Sequence, residues 1–167
     1  MKQISLPFLV IIAVGLSACS SSGGGGGSIE LSDKTAVHRA DQCPRLTGSY
    51  CTSNPGTMTC DGHRMAVDSN GNPEYSENGD YILAADGDIP KVVVDGRIRD
   101  ATARNMAIKT QAYCTNGSLT KIIHAGSRGA LSETLSLSSD GRTLTVVTKG
   151  SGAASRLSGT ETYTKQN

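Results

Sequence analysis

Seven Asn-Gly or Asp-Gly dipeptides punctuate this 167-residue chain, at Asp61-Gly62, Asn70-Gly71, Asn78-Gly79, Asp86-Gly87, Asp95-Gly96, Asn116-Gly117 and Asp140-Gly141. Each pair readily takes the left-handed dihedrals that two-residue hairpin turns demand. The first five recur every eight or nine residues, the spacing of consecutive short antiparallel strands. Between them lie β-favouring runs: Arg64 to Val67, Tyr81 to Leu83, Lys91 to Val94 and Met106 to Ile108, with Leu119 to His124 continuing the series. No window carries a sustained 3.6-residue apolar stripe. Residues 32–40, which Ser32 could cap as a short helix, are not assigned one.

The clearest hairpin lies near the end. Leu131, Glu133, Leu135 and Leu137 alternate with Ser132, Thr134, Ser136 and Ser138, and the chain then turns at Asp140-Gly141 into Leu144 to Thr148. Strict alternation buries one face and wets the other, and Glu133 is the oddity on the leucine-bearing face. A last strand, about Arg156 to Thr164, sets Leu157, Gly159, Glu161 and Tyr163 against Ser158, Thr160, Thr162 and Thr164. The expected fold is all-β: an antiparallel up-and-down meander of eight to ten strands. Closing it into a small barrel would remove the exposed edges that invite aggregation. A β-sandwich is the alternative.

Composition limits the interior. Residues 29–167 are enough for one domain with a core. The chain has no Trp, and its only Phe is Phe8. The core must therefore come from Val, Ile, Leu, Met, Ala and five tyrosines. From residue 19 onward 15 basic side chains face 15 acidic ones. With no basic stripe, nucleic acid is not expected as a partner.

At the N-terminus, Lys2 precedes an apolar run, Ile4 to Leu16, of 13 residues, followed by Leu16-Ser17-Ala18-Cys19 and then Ser20 to Ser28, a Ser/Gly stretch. The run is too short for the roughly 20 residues of a membrane-spanning helix. This resembles the signal peptide and lipobox of bacterial lipoproteins. The resemblance implies cleavage before Cys19 and lipidation of that residue, with several acyl chains making membrane attachment stable. Ser20 stands where inner-membrane members often carry Asp, which points to the outer membrane of the cell envelope. The expected organisation is a signal peptide (1–18), a lipidated Cys with a flexible tether (19–28), an N-terminal arm (29–44) and a β-barrel domain (45–167).

Four further cysteines, Cys43, Cys51, Cys60 and Cys114, form an even set in an exported chain and so suggest two disulfides, with three possible connectivities. Asn54-Pro55-Gly56-Thr57 is a turn signal, and Cys51 and Cys60 lie equidistant from its centre. In a hairpin they would face each other where side chains come closest. The expected bonds are Cys51–Cys60 and Cys43–Cys114.

Leu46-Thr47-Gly48-Ser49-Tyr50 as first strand, with a final strand carrying Tyr163 and Lys165, is similar to the layout of small lipocalin-like barrels. Tyr50 takes the position of their Gly-x-Trp tryptophan, and Arg142 or Arg156 that of the late arginine packed over it. The resemblance implies a cup for a small apolar ligand. Alternation would line that cup with Tyr50, Val92, Val94, Ile108, Leu135 and Val146, although register can invert such a set. A barrel filled by its own side chains is the other possibility. Tyr50 and the Ser158-Gly159 to Tyr163 stretch also resemble small lipoproteins that inhibit lysozyme. That resemblance implies host lysozyme as partner. As an interaction protein more generally, the chain would meet an envelope protein through exposed loops such as Asn70 to Gly79 and Ala125 to Ala130.

Motifs for chemistry are weak. Asp68 to Glu74 starts like a calcium loop, but the glycine is misplaced and Gly79 stands where a bidentate Glu is needed. Cys60-Asp61-Gly62-His63 matches no established zinc spacing. No Gly-x-Ser-x-Gly elbow is present. The expectation is a non-enzymatic envelope protein with no cofactor, metal or catalytic residue.

Overall fold

The computed structural model describes residues 28–46, 50–51, 74–83 and 89–165. Among the described residues ten strands run in chain order: β1 (Tyr50–Cys51), β2 (Glu74–Tyr75), β3 (Tyr81–Leu83), β4 (Val92–Val93), β5 (Arg99–Ala103), β6 (Met106–Thr115), β7 (Ser118–His124), β8 (Ala130–Leu137), β9 (Thr143–Gly150) and β10 (Gly159–Lys165). All pair antiparallel. One sheet has seven strands in the order β1-β10-β9-β8-β7-β6-β5, and a second has three in the order β2-β3-β4. From β5 to β10 the chain is an unbroken up-and-down meander.

The turn chemistry sets much of this order. Asn116-Gly117 makes the tight β6–β7 turn with both residues at positive φ, 50° and 72°, as a type I′ turn requires. Asn78-Gly79 joins β2 to β3, and Asp140-Gly141 joins β8 to β9. The β5–β6 turn instead uses Arg104 and Asn105 at positive φ, which no glycine announces. Asp61-Gly62, Asn70-Gly71, Asp86-Gly87 and the Arg64 to Val67 run lie outside the described residues.

The meander does not close. Among the described residues no ladder joins β5 to β1, and the expected barrel is corrected to two layers. Tyr81, Leu83, Val92 and Val94 from the small sheet share one core cluster with Tyr50, Ala112, Cys114, Leu119, Leu135, Leu144, Val146 and Tyr163 from the large one. This is the sandwich alternative, with one apolar face of each sheet buried against the other. The reason lies at the β6 edge. β5 pairs with β6 only as far as Arg99 opposite Thr110. Beyond that point other segments take the edge: Gly96 N–H donates to Ala112 O at 2.8 Å, and Arg39 N–H donates to Cys114 O at 2.9 Å.

The arm, residues 28–46, wraps around that edge. On the outer face, the side chain of Gln111 is fully buried and donates from Nε2 to Ser32 O and Gly96 O, both at 2.7 Å. On the inner side, Leu46 is fully buried in the shared core. At the other end of the sheet, the 3-10 segment Gly152–Leu157 folds over β9. A Cβ at Gly150 would collide with the Ala154 carbonyl oxygen, so glycine is what allows this approach.

Candidate functional site

The inner face of the large sheet is read directly from its register. One cross-strand row is Cys114, Leu119, Leu135 and Val146, and the next is Ala112, Lys121, Glu133, Thr148 and Gly159. A third runs Thr110, Ile123, Leu131 and Gly150. The first row belongs to the main core. Ile123 belongs to a second apolar cluster with Ile89, Ala103 and Ile108. Between the two clusters sits a polar band whose centre is an ion pair, Lys121 Nζ to Glu133 Oε2 at 2.7 Å, with side chains only 6% and 18% exposed. A pair this far from water holds because each charge neutralises the other.

Five of the six expected ligand-lining residues come together: Tyr50, Val92, Val94, Leu135 and Val146 share the interlayer core. Ile108 lies apart in the second cluster. None of the six is more than 8% exposed. They are packing residues between two sheets rather than the wall of a barrel, because the layer of β2–β4 lies on them. Arg142 and Arg156 are not buried.

Two phenols give this core a polar seam. Among the described residues the buried Tyr50 hydroxyl has no hydrogen-bond partner, and the buried Tyr81 hydroxyl is met only weakly, by the Leu46 backbone. Burial pushes the Tyr50 phenol up. Burial, reinforced by the neighbouring Tyr75, pushes Tyr81 up to about 12, an effect the Leu46 backbone only partly offsets. Tyr75 itself is 57% exposed and stacks edge-on against Tyr81 with ring centroids 5.8 Å apart. In the unfolded chain tyrosine ionises near 10. The stabilisation from keeping Tyr81 neutral is therefore complete below pH 10 and is lost as pH rises through about 12. Urea denaturation should show stability falling by roughly 2 kcal/mol over that interval. Tyr81→Phe should remove most of this slope, and an unchanged slope would assign it to other groups.

The third polar cluster surrounds the disulfide. Cys43 and Cys114 are bonded, with Cα atoms 5.1 Å apart and a sequence separation of 71. Cys43 follows the 3-10 turn Ala40–Gln42 and is half-buried, whereas Cys114 is fully buried on β6. His38 completes the group. Its Nδ1 accepts a hydrogen bond from Cys114 N–H at 3.0 Å, which requires a lone pair there and so places the ring proton on Nε2. Among the described residues, Nε2 is buried without a partner. The His38 nitrogen and the two sulfurs all lie within 4.8 Å of one another. No sequence pattern pairs His38 with the cysteines, since 71 residues separate the two sulfurs. Cys60, partner in the expected Cys51–Cys60 bond, the Cys19 lipidation site, and the calcium-like and zinc-like segments at 68–73 and 60–63 lie outside the described residues.

No family model, curated protein or solved structure matches this chain. The site is therefore read from its own chemistry. The ion pair and the phenols are enclosed between layers. Chain neighbours of the His38–Cys43–Cys114 group, Val37, Arg39, Gln42 and Thr115, instead line a shallow surface depression together with Asn116. Each residue of the group has an immediate chain neighbour in that lining.

Proposed function

We propose that this chain is a lipid-anchored lipoprotein of the cell envelope, held at the outer membrane, whose β domain is a non-catalytic binding or structural module. The observation that carries the reading is Leu16-Ser17-Ala18-Cys19 followed at once by Ser20 to Ser28. A lipidated cysteine followed by a Ser/Gly stretch suits a domain held near a membrane but free to reorient. The arm supports the same reading, because Ser28 leads into a segment pinned to the β6 edge by Ser32, His38 and Arg39. Tension on an anchor would thus fall on a hydrogen-bonded, disulfide-tied segment.

Within that role, a filled interior favours a solid module over a cup, since Tyr50, Val94 and Leu135 are at most 1% exposed. Recognition of an envelope protein is the second reading. Tyr75, an exposed aromatic within the 70–79 stretch, is the kind of residue that anchors protein interfaces.

Mass spectrometry of the N-terminal peptide, from cells fed a labelled fatty acid, tests the anchor. The expected product starts at Cys19 and carries a thioether-linked diacylglycerol. Cys19→Ala should abolish the label and leave an uncleaved precursor. An unlabelled mature chain with a bare thiol would overturn the proposal.

A further inference from the structure

We propose that the Cys43–Cys114 disulfide, once opened by a dithiol reductant, becomes with His38 a three-ligand site for a thiophilic metal ion of the Zn2+ class. The site is independent of the anchor reading. Three donors of the right kind already stand together, all within 4.8 Å. Zinc bonds run about 2.3 Å to sulfur and 2.0–2.1 Å to imidazole nitrogen, so donors on one ion sit roughly 3 to 4 Å apart. Small displacements after the sulfurs part would bring them into place. Two thiolates and a neutral imidazole balance the charge of a divalent cation. They form the soft donor set that selects zinc over magnesium or calcium.

His38 supplies the second observation. Its ring is fixed beside Cys114 by the hydrogen bond to Nδ1, yet its other nitrogen is buried with no partner among the described residues. Buried polar atoms are rarely left so. Ligation through Nε2 would move the ring proton to Nδ1 and exchange the Cys114 hydrogen bond for a metal bond. Cys43 is only partly buried and is the member of the group open to a reductant; its chain neighbour Gln42 lines a shallow surface depression.

The chemistry balances. A thiolate of the reductant attacks Sγ of the half-buried Cys43, because Cys114 is fully buried. The S–S bond breaks and Cys114 leaves as thiolate. The reductant's second thiol then attacks the mixed disulfide at its own first sulfur and releases Cys43. The protein bond has gained two electrons and two protons, and the reductant has become a disulfide. Metal binding sends the two thiol protons to solvent and leaves a fourth coordination position for water.

The test uses the full chain carrying Cys19→Ser, Cys51→Ser and Cys60→Ser, so that only two thiols remain and lipidation plays no part. Oxidised and phosphine-reduced forms are titrated with Co2+, read by the thiolate-to-cobalt charge-transfer band, and then competed with Zn2+. The reduced chain should bind one equivalent, displaced by zinc, and the oxidised chain none. His38→Ala should weaken binding by about tenfold or more, and His38→Cys should restore it. A reduced chain with no band, an oxidised chain with the same band, or a His38→Ala variant titrating like its parent would each overturn the proposal.

Discussion

Lys121→Met is expected to destabilise the domain by about 3 kcal/mol, the cost of leaving a largely buried carboxylate without its counter-ion. The partner left behind, Glu133, is only 18% exposed and sits directly opposite Lys121 in the β7–β8 ladder. Its neighbours along β8 on the same face are Leu131 and Leu135, both buried. Water therefore reaches the orphaned charge poorly. Removing both charges is a different experiment. Lys121→Met with Glu133→Leu joins the two apolar clusters into one and should recover most of the loss, because an apolar pair of similar volume often matches or exceeds a buried ion pair. Urea denaturation of the two single variants and the double variant completes the cycle. If Lys121→Met cost well under 1 kcal/mol, Glu133 would be solvated in a way its burial does not allow.

The same pair shows how far sequence reading reaches. Glu133 stands out because it breaks the leucine face, but its partner depends on register, which alternation within a single strand does not fix. β7, β8 and β9 are legible because Asn116-Gly117 and Asp140-Gly141 pin their turns and each strand carries a β-favouring run. β5 is not, since Arg99-Asp100-Ala101-Thr102-Ala103 carries little β-favouring side chain and turns through Arg104-Asn105. Its strand character comes from pairing with β6, a tertiary cause. Barrel closure fails as an expectation for a related reason. Closure is decided at edges, and the β6 edge is taken by an arm with no periodicity of its own, held there by Gln111, His38 and a disulfide. The ligand-lining set comes together apart from Ile108, because the alternation that lines a cup also lines a sandwich core.

The opposite extreme is a constraint acting mainly on the unfolded chain. Cys43→Ala with Cys114→Ala is expected to cost about 4 kcal/mol, the loop-closure entropy of a crosslink spanning a separation of 71 residues. The folded arm keeps its hydrogen bonds in this variant, since Arg39 N–H still donates to the carbonyl oxygen of residue 114 and His38 still accepts from its N–H. The dependence of stability on urea should steepen, because an uncrosslinked unfolded chain exposes more surface. Adding His38→Ala should be non-additive with the double alanine variant, as both act on how the arm docks at residue 114. Reduction of the wild-type chain in the presence of a chelator should reproduce the alanine loss, whereas reduction with excess Zn2+ should regain stability by ligand linkage. Zinc cannot rescue the alanine variant, which lacks the sulfurs. A loss below 1 kcal/mol would mean that the arm docks by its hydrogen bonds and Leu46 alone, and that the covalent tie matters to redox state rather than to folding.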